Sequence, residues 1–443
     1  MKVAITNKDI IRLAAPISVA ILIPQINFLT NTAFLGRLGE RELAVNGITG
    51  IFYLILSMVG YGLSSGIQVQ LARRAGQGDK DGLAQTFVNG LLLAVMGALV
   101  LILLTLWMAP VIFDLSLNND IHIFMGVNFL YIRVWGLPFL MLTQLFNSFY
   151  ISTGQSRFLT YGSLAATAVN IGLDYLLIFG KGGMPAMGLT GAAVASVLAE
   201  MIYCLVMAGI FYFKKEYREY PVKRYVHFDT ELSVRSLKVS SPLIVQFLFS
   251  IGGWQVFFIF VEHLGQQELA ASQILRSVFG VVSIGTWALA STCNTMVSNV
   301  IGQGRQREVI PVIWKIAKIS LIYATIVCVP LLLFSSGFLS IYRDEQSLIT
   351  MAVPSLRVIV LATLIMAVST VMFNGVLGTG NTRVNLIIEV ICVSIYLVYC
   401  YFIIEVGRNS LTWAWASEFV YWTSLVIISF IYLKSGRWKG KAI

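Results

Sequence analysis

Uninterrupted apolar runs constrain this chain more than any other feature. They follow one another through all 443 residues, of which 57% are hydrophobic and 12% charged. Many are about 20 residues or longer, enough to cross a hydrocarbon layer of about 30 Å. In lipid the backbone must satisfy its own hydrogen bonds, so such runs fold as helices. They are continuous rather than short and alternating, which excludes a β-barrel. The fold expected is an all-α polytopic membrane protein with twelve transmembrane helices, near 10–36, 46–72, 83–111, 121–152, 157–180, 188–213, 238–264, 270–301, 310–336, 348–377, 384–405 and 411–434. The first run follows Lys2, Lys8 and Arg12 as a signal peptide would, but it is too long and lacks an A-x-A cleavage site, so it is read as helix 1.

The charge of +10 does not point to nucleic acid, because the basic residues fall in alternate loops. Arg73, Arg74 and Lys80, then Arg157, then Arg305 and Arg307, mark loops on one side, together with Lys2, Lys8, Lys434, Arg437, Lys439 and Lys441 at the two ends. The longest loop, 214–237, adds Lys214, Lys215, Arg218, Lys223, Arg224 and Arg235. The intervening loops hold Asp114 and Asp120, Lys181 alone, or the mixture Arg343, Asp344 and Glu345. The positive-inside rule then places both termini of this multi-pass protein in the cytoplasm, and the membrane expected is the plasma (inner) membrane. Cys204, Cys293, Cys328, Cys392 and Cys400 all lie in apolar segments with no CxxC, so neither a disulfide framework nor a metal site is expected.

An internal repeat divides the chain. Pro16 recurs as Pro242, Leu38-Gly39 as Leu264-Gly265, Gly76-Gln77-Gly78 as Gly302-Gln303-Gly304, and Thr153-Gly154 as Thr379-Gly380, every pair separated by 226 residues. Arg133 and Arg357 stand 224 apart, and Leu189-Thr190 and Leu411-Thr412 stand 222 apart, as small loop deletions would give. The domains expected are two six-helix bundles, 1–213 and 238–443, joined by the cytoplasmic linker 214–237. Six helices is an even number, so the halves enter the membrane in the same sense and are related by a pseudo-two-fold axis along the membrane normal, as in transporters that rock one half against the other.

Polar residues inside the helices single out a site. Asp174 lies six residues from the outer end of helix 5, about 9 Å deep. Asn170 is one turn away on the same face. Asn31 in helix 1 and Ser196 in helix 6 come at similar depths, about 8 and 10 Å. A carboxylate in hydrocarbon is costly enough to mark function, whereas a lone Asn or Ser serves equally as packing glue between helices. Glu418, Glu389 and Glu200 are further buried acids and secondary candidates, with Arg133 and Arg357 available as partners. Pro16 and Pro24 both fall within helix 1, where each removes a backbone hydrogen bond and bends the helix.

With these residues in view, the chain resembles the multidrug and toxic compound extrusion (MATE) family along essentially its whole length. The resemblance is carried by Asn170-x3-Asp174-Tyr-Leu-Leu-Ile-Phe-Gly and by Gly188-Leu-Thr-Gly-Ala-Ala-Val-Ala-Ser196. Phe34-Leu-Gly-Arg-Leu-Gly39, Gly76-Gln-Gly-Asp79 and Gly154-Gln-Ser-Arg157 support it. It implies an antiporter that exports organic, often cationic compounds against protons or sodium ions by alternating access. It also implies that the ion binds at Asn170, Asp174 and Ser196 and that Pro16 is the bending proline. Two positions depart from the family. Asn31 stands where an aspartate is common, and Ser250 stands where some members have a glutamate. The loss of a second carboxylate leaves one acid to bind one proton, so a proton is the coupling ion expected. Sodium is the alternative, with oxygens from Asp174, Asn170, Asn31 and Ser196. No cofactor, no other metal and no nucleic-acid partner is expected, and no enzymatic activity. The partners are a small-molecule substrate and membrane lipid, and the protein is expected to act as a monomer. A second reading is a lipid-linked precursor flippase of the same superfamily. It would need a cationic cavity, for which Arg133, Arg276 and Arg357, with Lys315 and Lys318, are the residues available.

Overall fold

Among the described residues of the computed structural model, twelve helices are long and apolar enough to span a bilayer. The structure describes residues 5–116, 119–214, 219–340 and 346–440. Lys2, Lys215, Arg218, Arg343, Asp344, Glu345 and Lys441, which belong to the charge pattern above, lie outside the described residues. The spans are α1 (Asn7–Leu38), α2 (Glu40–Gln77), α3 (Lys80–Leu115), α4 (Asp120–Ser152), α5 (Arg157–Phe179), α6 (Leu189–Phe213), α7 (Thr230–Glu262), α8 (Gln266–Gly302), α9 (Gln306–Leu333), α10 (Gln346–Gly378), α11 (Thr382–Val406) and α12 (Leu411–Ser435). The described residues contain no strand.

Several of the helices depart from the unbroken spans the apolar runs suggest. α4 is interrupted by a 3-10 turn at Val134–Gly136, immediately after Arg133 and before Pro138, which cannot supply an amide proton to a continuing helix. α11 ends in a π-helical turn, Tyr401–Val406. α12 starts as a short segment, Leu411–Trp415, and restarts at Ser417, so Glu418 sits in the first turn of the second segment.

Cα packing divides the chain into two compact units, one of residues Val19–Ile244 and one of Met1–Ser18 with Val245–Ile443. The reasons are local. The first part of α7 is fastened inside the former unit, where Ser233 Oγ donates to Asn89 Oδ1 at 3.0 Å and Ser240 Oγ to the Leu63 carbonyl at 3.2 Å. Gly62 and Gly66 on α2 allow this close approach. A Cβ on Gly62 would stand 2.6 Å from Ile244 Cα, and one on Gly66 would stand 2.7 Å from Ser240 Cα. Small residues four apart let membrane helices meet backbone to backbone. The start of the chain belongs to the latter unit, where Lys315 Nζ donates to the Ile5 carbonyl at 2.8 Å. Both α1 and α7 therefore change unit along their length, each two residues beyond a proline, Pro16 and Pro242.

Candidate functional site

The site begins with the hairpin that joins α5 to α6. Gly180 and Gly188 both have positive φ, 66° and 55°, which a side chain would resist. A Cβ on Gly180 would also stand 2.7 Å from the Ala186 nitrogen. The loop between them bonds back onto α5, with Lys181 N donating to Leu176 O at 3.0 Å and Met187 N to Leu177 O at 2.8 Å. Gly191 then brings α6 against the Leu177 backbone. The glycine-rich stretch thus fixes the last turn of α5, one turn beyond Asp174. Over it lies an apolar plug of Leu35, Val45, Phe129, Ile178, Leu189, Ala192 and Ala193. Phe34 packs edge-on against Phe179, with ring centroids 5.6 Å apart.

Below the plug the polar groups converge. Asp174 is fully buried and Asn170 is 2% exposed. Asn170 Nδ2 donates to Asp174 Oδ2 at 3.1 Å. Asn170 Oδ1 in turn accepts from Asn27 Nδ2 on α1. α1 and α5 run in the same direction, so this bond sets a register that places Asn31, one turn on, level with Asp174. Three oxygens, Asp174 Oδ1, Asn31 Oδ1 and Asn27 Oδ1, are buried with no hydrogen-bond partner. Each such acceptor costs about 1–3 kcal/mol. A proton or an oxygen-seeking cation at these oxygens would remove part of that cost.

Of the residues expected here, Asn170 and Asp174 are brought together on one face. Asn31, level with them on α1, bonds to neither. Ser196 is half-buried and makes no hydrogen bond to the cluster. The direct bridge from α1 is Asn27, which depth in the membrane does not single out. Its signal is the pair Asn27 and Asn31, four residues apart and so on one face of an apolar helix. α1 is helical through both Pro16 and Pro24.

The other buried acids have distinct surroundings. Glu200 is gripped by Arg133 through Nη1 at 2.8 Å and Nη2 at 2.6 Å. Tyr53 Oη donates to the same carboxylate at 2.9 and 3.1 Å, and the guanidinium lies 3.7 Å from the Tyr53 ring centroid. Glu200 is thus fully engaged as a structural ion pair. Glu389 on α11 accepts from Ser250 on α7 and from Tyr421 Oη on α12, the latter at 2.9 Å. Its Oε2 is buried without a partner. One turn earlier on α11, Asn385 donates to Gln246 of α7 at 2.7 Å. Glu418 accepts from Trp422 Nε1 at 2.7 Å, and no described cation pairs with it. Arg133 therefore meets the expectation of an acid partner, whereas Arg357 has none among the described residues. Those residues also contain no group of three or more His, Cys, Asp or Glu that could hold a metal ion.

Comparison with known proteins agrees with this architecture. The MatE family model matches twice, over residues 16–176 and 242–402, and the second match begins and ends 226 residues after the first. The probable multidrug resistance protein NorM of Thermotoga maritima is 23% identical over 99% of this chain and 94% of its own. The probable multidrug resistance protein YoeA of Bacillus subtilis is 26% identical over 76% of this chain and 73% of its own. An outward-facing multidrug resistance MATE family transporter of the MOP superfamily shares the fold, with a TM-score of 0.88 at 18% identity, covering 98% of this chain and 97% of that one. With the family model matching both repeats and most of the residues, the chain belongs to the MatE family.

Proposed function

We propose that this MATE transporter is an ion-coupled antiporter that exports organic, cationic or drug-like compounds across the plasma (inner) membrane, with both termini cytoplasmic. The names of its relatives support multidrug efflux. The observation that carries the coupling reading is Asp174, a fully buried carboxylate with one oxygen bonded only to Asn170 and the other unbonded. A proton is the preferred coupling ion, since one acid takes one proton and its O–H then donates to a neighbouring oxygen. Sodium is the second reading, favoured by the three unpartnered oxygens of Asp174, Asn31 and Asn27.

Binding there has a route to shape change. Asn27 ties the acid's neighbour to α1, and α1 carries Pro24 and Pro16 towards the point where it changes unit. Neutralising Asp174 loosens the Asn170–Asn27 relay and lets α1 bend at its prolines. The two repeats, 1–213 and 238–443 joined by 214–237, serve as the halves of an alternating-access cycle. The flippase reading weakens because Glu200 already consumes Arg133, one of the few arginines a pyrophosphate cavity would use.

The test is efflux of a dye panel from proteoliposomes under a pH gradient and, separately, a sodium gradient. Export driven by the pH gradient alone is expected. Export without either gradient would contradict ion coupling.

A further inference from the structure

Where α5 begins and α6 ends, two cations share one aromatic ring. Arg157 is the first residue of α5, and Lys214 directly follows Phe213, the last residue of α6. Arg157 Cζ lies 5.0 Å from the Phe158 ring centroid and Lys214 Nζ 5.9 Å, so the two charges are no more than about 11 Å apart. Both residues are exposed. Neither pairs with a carboxylate among the described residues. The ring beneath them is fixed, since Phe158 is buried and packs edge-on against Tyr150 with centroids 5.3 Å apart.

The surface that leads away from this pair is apolar. On α5, Arg157, Tyr161, Leu164, Ala168 and Tyr175 are exposed at helical spacing, on the side turned away from the buried Asn170 and Asp174. Tyr161, one turn from Arg157, is 56% exposed, and Tyr212, two residues before Lys214, is 67% exposed. Tyrosines collect at the level of lipid headgroups, where the ring sits in the acyl region and the hydroxyl in the polar one. Gly162 keeps the two helices close, since a Cβ there would stand 2.3 Å from Tyr203 Cε2 of α6. The second repeat lacks the arrangement. Arg157 recurs as Arg383, but the offsets of 226 and 222 residues carry Phe158 to Val384 and Lys214 to Gly436.

Arginine and lysine at headgroup level attract anionic lipid. The guanidinium fork matches a phosphate bidentately, and the flexible stem of lysine lets its charge swing onto the same group. A zwitterionic lipid would bring its own amine against the pair, whereas an anionic one brings only the phosphate charge. We propose that Arg157 and Lys214 bind the phosphate of one anionic phospholipid, whose acyl chains lie along Tyr161 and Leu164 of α5. Its leaflet is the cytoplasmic one in the orientation proposed above. The site goes beyond the export reading and does not depend on it. The bound lipid joins the start of α5 to the end of α6, the two helices whose other ends form the hairpin next to Asp174.

The experiment titrates phosphatidylglycerol and, separately, phosphatidylcholine into the purified full-length protein in uncharged detergent. Bound lipid is counted by native mass spectrometry, and the thermal melting temperature is recorded. The wild type is expected to bind phosphatidylglycerol at least about fivefold more tightly than phosphatidylcholine and to melt at a higher temperature with it. R157Q and K214Q should each weaken phosphatidylglycerol binding by about fivefold, the scale of one interfacial cation, and leave phosphatidylcholine binding unchanged. R157K should retain part of the affinity, and R383Q should stay within about twofold of the wild type. Equal wild-type affinity for the two lipids overturns the proposal. A loss in R383Q as large as that in R157Q overturns it too, since the lipid would then answer to spread charge and not to this pair. Displacement of phosphatidylglycerol by inorganic phosphate at equal concentration would make the occupant a soluble anion. Both side chains are exposed, so the lipid-free variants should melt with the wild type. A lower lipid-free melting temperature would make the pair a structural contact and overturn the site.

Discussion

Asn170 donates to Asp174 across one turn of α5, at 3.1 Å, while its own carbonyl oxygen is held by Asn27 of α1. The carboxylate is thereby connected to a second helix through a single side chain. Truncating Asn27 to Ala removes that link and leaves the acid in place. N27A is expected to weaken coupling-ion binding by about five- to tenfold, the scale of one buried hydrogen bond near 1–1.5 kcal/mol. Ion titration of substrate release in proteoliposomes checks this. An unchanged ion affinity would show that Asn27 does not hold the site.

Arg133 and Glu200 make a different prediction, because both partners are largely buried, at 14% and 16% side-chain exposure. Removing one leaves the other charged and alone, at a cost of about 3 kcal/mol. E200Q should therefore lower the thermal melting temperature in detergent markedly. The double variant R133L/E200L should recover most of the loss, since a packed apolar pair often replaces a buried ion pair at little cost. A double variant as unstable as the single one would contradict this account.

Gly66 meets Ser240 so closely that a Cβ would stand 2.7 Å from its Cα. G66L must push α2 away from the start of α7, and overpacking of this kind costs about 1–3 kcal/mol. It should shorten the protein's lifetime in detergent, whereas Gly172, with nothing within 4 Å of an added methyl, should accept Ala without loss.

Much of this is legible in the sequence, for physical reasons. Apolar length marks a span without reference to neighbours, so all twelve helices are visible, with ends shifted by up to eight residues, the most at α7, which is expected from 238 and begins at Thr230 within the expected linker. α1, for instance, is expected at 10–36 and runs Asn7–Leu38. Asn170 and Asp174 pair as expected because a four-residue spacing fixes one helical face. What periodicity does not give is which face of one helix meets which face of another. That is why depth alone favours Asn31 over Asn27, and why Ser196, at a suitable depth, lacks a bond to the cluster. The contact of Glu389 with Ser250, 139 residues away, is equally out of reach. The break in α4 has a local signal, Gly136-Leu-Pro138, that the apolar run masks.

The Glu389–Ser250 contact bears on the family comparison. Some members carry a glutamate on α7 at the position of Ser250, and here α11 supplies a carboxylate to the same neighbourhood. Because Ser250 and Tyr421 both donate to it, E389Q keeps an acceptor oxygen for them. Gradient-driven efflux of E389Q is expected to stay within about twofold of the wild type, as neutral acceptors preserve such bonds. A loss as large as that from Asp174 substitution would make Glu389 a second coupling group.

The central claim is that occupation of Asp174 drives the cycle. Its most direct test is efflux from proteoliposomes by D174N, under imposed pH and sodium gradients in separate runs. Loss of gradient-driven efflux is expected, with substrate binding in detergent retained. Gradient-driven efflux at the wild-type rate would contradict the account.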